Sequence, residues 1–159
     1  MHSRAAELLE ILGMRPHPEG GHYIEVFRSV QRVQVVDRNI ERSALTTIYF
    51  LLAAGESSRW HRVMSDEIWH YHEGDAIELL LFDDRGLRRL QLGPVASVTR
   101  PAIVVPAGTW QAARTTGAYT LVGCTVGPGF EFADFSLLAD ASDAASRFRA
   151  RHPDLADLI

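Results

Sequence analysis

A single cysteine, Cys124, stands in 159 residues. One thiol cannot build an internal disulfide framework, so stability must come from packing, and the count fits a reducing cytoplasm. Long apolar runs are missing too. None approaches the roughly 18–20 residues that span a bilayer, so no membrane partner is expected. Glu7 and Glu10 interrupt the N-terminal apolar turns, which argues against a signal peptide. Positive charge is not in excess. A net charge of −4 and a pI near 5.9 give no drive toward phosphate backbones, and nucleic acid is not an expected partner. There is no GxxxxGK[ST] stretch and no strand–GxGxxG–helix context, which excludes the common nucleotide-phosphate loops. Repeats and low-complexity tracts are also absent.

What is present is an ordinary globular composition, 47% hydrophobic and 23% charged, long enough for a single domain with a sizeable core. The chain opens with a predicted helix over 3–13. Ser3 can cap it, Ala5, Leu8, Leu9 and Leu12 form one stripe, and Gly13 ends it. Residues 15–29 follow, where two prolines and Gly20-Gly21 impose an extended, then sharply turned path before Tyr23–Arg28 alternates as a strand. A charged loop, 37–42, leads to a buried strand in ALTTIYFLLAAGE. Strand-like pieces then recur at 58–63, 67–73, 76–83, 87–92, 98–105, 110–115 and 119–126, with turn residues between them. Such spacing means an all-β sandwich or barrel, here about residues 20–138, rather than βαβ units. Phe130, Phe132 and Phe135 are expected core anchors. A Ser-capped helix over 142–151, broken by Pro153, closes the chain.

Residues 55–74, GESSRWHRVMSDEIWHYHEG, concentrate His61, Asp66, Glu67, His70 and His72 among aromatic and aliphatic residues. Titratable groups are costly in a core unless paired or used, so this interleaving points to a lined cavity. Strand parity puts Glu67, Trp69 and Tyr71 on one face and Ile68, His70 and His72 on the other. Ser65-Asp66 reads as a turn, and Cys124 as an inertly buried thiol. In the Glu19-Gly20-Gly21-His22-Tyr23 segment, the glycines serve either a tight turn or a close backbone approach to an anionic or polyhydroxy ligand.

Gly55, His61, Glu67 and Gly74 fall on the spacing Gly, five residues, His, one, His, three or four, Glu, six, Gly. Pro106-Ala107-Gly108-Thr109-Trp110-Gln111 approaches a second motif, Pro-x-Gly-x-x-His. In these stretches the chain resembles the cupin superfamily of jelly-roll barrels. With HPEGGHY at 17–23, SDEIWHYHEGD at 65–75, VPAGTWQAA at 105–113 and PGFEFADFSLL at 128–138, it resembles the cupin-5 type, a domain of unknown function, over residues 4–140. That resemblance implies a cupin-type double-stranded β-helix with short terminal helices. The chain departs from the motifs at two ligand positions, where Val63 and Gln111 replace histidines. No cofactor is therefore expected as certain; a divalent metal, if bound, would use His61, Glu67 and Gln111.

The expected site is a polar pocket in a mostly apolar barrel. His61 is the candidate general base, Glu67 its orienting partner, and Tyr71 or Tyr49 a partner acid, by likeness to the resembling sugar epimerases. Glu19, Gly20, Gly21, Tyr23, Arg59, Trp69, Trp110 and Gln111 complete the expected ligand contacts, with Arg28 as a further cationic candidate. The ligand class is a small, oxygen-rich metabolite, a sugar or sugar nucleotide. Two functions stay open: an epimerase or isomerase acting beside a carbonyl, and a non-catalytic binding or sensor barrel. A metal-dependent cupin enzyme ranks third. By analogy with cupins, and because barrels must hide their strand edges, a homodimer is expected.

Overall fold

The computed structural model describes residues 1–159. Helix α1 (Ser3–Leu12) buries Ala5 and Leu8, and Gly13 stops it with a left-handed φ of 64°. His2, not Ser3, caps it, its ring accepting the Arg4 backbone N–H at 3.2 Å. Strands β1 (Arg15–Pro16), β2 (His22–Arg28), β3 (Arg32–Val35), β4 (Ile40–Ser43), β5 (Thr46–Ala53), β6 (Ser57–Val63) and β7 (Asp66–Gly74) come next. They are followed by β8 (Ile77–Asp83), β9 (Gly86–Leu92), β10 (Thr99–Arg100), β11 (Ala102–Val105), β12 (Trp110–Thr115), β13 (Tyr119–Gly127) and β14 (Phe135–Leu137). Helix α2 (Ser142–Arg151) and a 3-10 turn, Pro153–Leu158, close the chain.

One six-stranded sheet runs β1-β2-β5-β13-β7-β11 and the other β10-β9-β8-β12-β6-β14, with β3-β4 as a separate hairpin. Successive strands thus cross repeatedly between two facing sheets, giving the all-β jelly roll that the turn spacing implied. β8 shows why its run of apolar residues is unbroken. Ile77, Leu79 and Leu81 enter the core between the sheets, whereas Leu80 packs outward with Trp60 and Ala112 against Phe148, Leu155 and Leu158 of the C-terminal segment. A strand covered on both faces has no polar positions to alternate.

Three local expectations are corrected. The charged stretch 37–42 is not simply a loop: Arg32–Val35 pairs with Ile40–Ser43 through a left-handed Asn39. The cap of α2 is Ala141, which has no side-chain oxygen, so Ser142 is the first helical residue instead. Phe132 is no core anchor; it is 52% exposed, and it clusters with Phe130 and Phe135 at one end of the barrel.

Gly20 and Gly21 lay a strap, residues 15–21, across that same end. Gly20 has φ 110°, and an added Cβ would sit 2.1 Å from the Ser57 carbonyl oxygen. Gly21 has φ 65° and approaches the Leu51 carbonyl oxygen at 2.8 Å on the same measure. The Gly20→Ala variant should therefore lose on the order of 1–3 kcal/mol from backbone strain alone. An unshifted urea midpoint would show that the strap is not seated this way.

Candidate functional site

Beneath the strap lies a cavity of about 240 Å³, walled by Phe50, Ile48, Val63 and Val126. Its polar floor comes from different parts of the chain: His17 and Glu19 from the strap, His61 from β6 and Glu67 from β7. The two sheets thus present the imidazole and the second carboxyl to one hollow. Phe135 stacks on the His61 ring with centroids 5.5 Å apart, fixing its plane.

The hydrogen bonds determine where protons reside. His61 Nδ1 lies 2.7 Å from the Arg59 carbonyl oxygen, which can only accept, so Nδ1 carries hydrogen. In the neutral ring Nε2 is then a lone-pair acceptor, and it faces Glu19 Oε2 at 3.3 Å. On the other side, His17 Nδ1 accepts the Glu19 backbone N–H at 3.3 Å and lies 3.4 Å from the same Oε2. Ser58 donates to Glu19 Oε1 at 2.8 Å. Oε2 is therefore bracketed by two imidazole acceptors, a geometry that calls for a proton on the carboxyl.

The electrostatics agree. Burial pushes the Glu19 carboxyl up to about 8, over the opposing Ser58 hydroxyl and Arg59 charge. Burial, and then the neighbouring His61, brings His17 down to about 4. His61 is also lowered by burial, against Glu67 and the Arg59 carbonyl, while burial raises Glu67 against His61 and Gln111. Near neutrality the floor holds a protonated Glu19 carboxyl beside neutral imidazoles.

Behind Glu67, Gln111 donates its amide N–H to Glu67 Oε2 at 2.6 Å and accepts the Trp69 indole N–H at 3.0 Å. This decides the metal question on chemistry. The Gln111 oxygen is taken by the indole, its amino group faces the carboxylate a cation would need, and Val63 offers only hydrocarbon. No group of three or more His, Cys, Asp or Glu is arranged to hold an ion. The set His61, Glu67 and Gln111 does not fit a divalent metal.

Of the sequence-derived site residues, Glu19, Tyr23, His61 and Glu67 line the cavity. Gly20 and Gly21 seat the strap, and Trp69 and Gln111 brace Glu67 from behind. Four others lie elsewhere. Tyr71 shares the inward parity of Glu67, but four residues further along a strand is about 13 Å; its hydroxyl is committed to the Gly74 carbonyl at 2.6 Å. Tyr49 packs outward, edge-on to His72 at 5.6 Å and against the α1 cluster. Trp110 alternates with inward Gln111 and so faces out, beneath the Arg62 guanidinium at 4.6 Å. The Arg59 side chain reaches the Pro18 carbonyl at 2.6 Å, and only its backbone oxygen serves the site. Orientation of His61 falls to that oxygen and to Glu19, while Glu67 acts on it electrostatically from across the hollow. Sequence reasoning passed over His17; it shares with Glu19 a turn closed by the Gly20 N–H on the His17 carbonyl at 3.0 Å, and its place in the HPEGGHY stretch was the available signal. Cys124 is buried as expected, but it also lines the cavity, its thiol kept protonated by burial and Glu67.

The match to known proteins agrees with this architecture. Residues 6–138 match the family described as Cupin superfamily (DUF985), and the chain belongs to that family. Among solved structures it is similar to a hypothetical protein from Leishmania major, at 31% identity, TM-score 0.81, covering 98% of this chain and 96% of that one. A Shewanella oneidensis protein is also similar, at 31% identity and TM-score 0.84, covering 97% and 95% of the two chains. Oxalate decarboxylase from Bacillus subtilis shares the fold at 14% identity and TM-score 0.61, over 88% of this chain and 36% of that one. No curated protein matches. No helix is long and apolar enough to cross a membrane.

The shifted carboxyl predicts a pH dependence of stability. Relative to an unfolded Glu at 4.5, Glu19 at about 8 binds extra protons in the folded state across that window, so its contribution falls as pH rises through it. His17, lowered from 6.5 to about 4, acts in the opposite sense, but only below 6.5. Between 6.5 and 8 the Glu19 effect is therefore unopposed by His17, and stability should fall with pH by up to about 1.4 kcal/mol per unit. Glu19→Gln should flatten that limb in urea titrations, and an equal slope in both proteins would remove the assignment.

Proposed function

We propose that the cavity binds a small, uncharged, sugar-sized metabolite and moves a proton beside its carbonyl, as an epimerase or isomerase does. The observation that carries this is the Glu19–His61 contact: a protonated carboxyl facing an imidazole lone pair in one buried hollow. A substrate carbonyl accepting the Glu19 proton frees His61 Nε2 to take the neighbouring C–H proton. The C–H electron pair forms the enol double bond, while the carbonyl π pair takes up the Glu19 proton. For the isomer, His61 returns its proton to the former carbonyl carbon while the adjacent hydroxyl gives its proton to the Glu19 carboxylate. For the epimer, the enol turns over in the cavity, His61 returns the proton to its other face and the enol hydroxyl gives its proton back to Glu19. Glu67, held by Gln111, accepts from a substrate hydroxyl.

Size and charge narrow the ligand. A hollow of about 240 Å³ suits a monosaccharide-sized molecule and not a whole sugar nucleotide. At the mouth Arg28 is already committed to Glu25 and Glu131, leaving Arg15, stacked over Tyr23 at 5.0 Å, as the uncommitted cation. A diphosphate needs more than that. The non-catalytic reading uses the same contacts without turnover.

A copy of the chain is the proposed partner. β1 pairs only with His22 and Tyr23, so β2 from Ile24 to Arg28 is an open edge, with Val26 and Phe27 about half exposed. Such an edge suits strand addition in a homodimer. The single buried thiol supports a reducing, cytoplasmic setting.

Two measurements test these readings. Incubated in deuterium oxide with a panel of aldoses and ketoses, the wild type should wash deuterium into the carbon next to a carbonyl. His61→Ala should slow that by about 10²–10⁴-fold while retaining binding. Binding without exchange in the wild type would favour the sensor barrel, and neither would move the site elsewhere. Light scattering that reports a monomer at micromolar concentration would eliminate the homodimer.

A further inference from the structure

The outer face of the second sheet carries a separate cleft of about 680 Å³. It lies between the β8–β9 turn, the loop before β12 and the last turn of α2. Trp110 floors it, with the Arg62 guanidinium stacked over the indole at 4.6 Å, and Arg85 and Arg151 line its sides. None of these three arginines has a carboxylate partner. Asp83, which also lines the cleft, is taken by Arg88, so Asp84 is the one free carboxylate facing three guanidiniums. Arg62 Nε is sealed from solvent without an acceptor, a buried donor left unpaired beside the cleft, and the stacking on Trp110 sets the plane of the group. Arg147 lies one turn before Arg151 on the same side of α2.

This convergence stands out against the rest of the chain. The net charge is −4, all sixteen basic residues are arginine, and many of the others are ion-paired, as Arg38 and Arg42 are on Asp134. Planar guanidinium forks match the paired oxygens of phosphates and carboxylates. We propose that this cleft is a second binding site, for a small, multiply charged oxyanion such as a phosphate ester or a polycarboxylate. It stands back to back with the barrel cavity. Arg62 and Trp110 are sequence neighbours of inward-facing His61 and Gln111, yet the two sites open on opposite faces of the sheet and share no lining residue.

Calorimetric titration of the full chain with pyrophosphate, and separately with citrate, at low salt tests the site. The Trp110 indole resonance provides a local readout. Saturable binding by at least one probe is expected, about tenfold weaker in Arg62→Gln and again in Arg85→Gln/Arg151→Gln, whose side chains are exposed and leave the fold intact. Which probe binds tells phosphate from carboxylate chemistry. Glu19→Gln, in the other cavity, should leave the affinity unchanged, so this result does not depend on the proposed turnover. Absence of saturable binding by both probes at millimolar concentration overturns the proposal. Binding that survives both arginine variants, or that weakens in Glu19→Gln, does so equally.

Discussion

Two carboxyls and two imidazoles share a hollow that water barely reaches, and that crowding governs the rest of the site. Charged groups in such surroundings lose hydration that nothing on the apolar walls replaces. The arrangement answers by shifting both carboxyls toward holding their protons and both imidazoles toward losing theirs. Arg59 contributes a backbone oxygen that fixes the tautomer of His61, and Ser58 supplies one hydroxyl to Glu19. Gln111 turns its amide nitrogen to Glu67 because the indole of Trp69 already holds its oxygen. Each of these choices favours a neutral, hydrogen-bonded floor over a cage for a cation.

The barrel exists to hold that floor still. Glu67 starts a strand hydrogen-bonded on both sides, and His61 sits on one that pairs with both β12 and β14. Both outer faces are closed by helical segments: α1 through Ala5 and Leu8 over one sheet, Phe148 and Leu155 over the other. Arg4 anchors α1 by a bidentate bond to Glu73, which also accepts the Tyr119 hydroxyl at 2.8 Å. These covers account for strands that are apolar on both faces.

Much of this was legible from the order of residues. Alternation put Glu67 on one face with Trp69, the second motif brought Gln111 to the same site, and the glycine frame at Gly55 and Gly74 bounded the strands between. What alternation cannot report is distance along a strand, and so Tyr71 reads as a site residue although it is anchored well beyond the cavity. Nor does it report which outward residues meet each other: Arg62, Trp110 and Arg151 are far apart in sequence and converge only through the fold. The hairpin of Arg32–Val35 with Ile40–Ser43 escaped because each strand is only four residues long; Val33 and Val35 alternate, but the facing strand offers a single apolar residue, Ile40, to confirm the period. His17 was hidden differently, by lying in a proline-flanked strap whose path depends on two glycines pressed against backbone oxygens.

The strap has an evolutionary corollary. Its seven residues bring Glu19 and His17 into a chamber whose other polar groups are fixed in the sheets, and it is tied to the barrel at both ends of its turn, by Arg15 and Pro16 pairing with Tyr23 and His22 and by the Arg59 backbone N–H donating to the Glu19 carbonyl. The carboxyl of Glu19 and the imidazole of His61 are thus carried by separate segments that depend on each other's placement. A related barrel can vary the polar lining of the chamber through this segment only where the two glycines that seat it are kept.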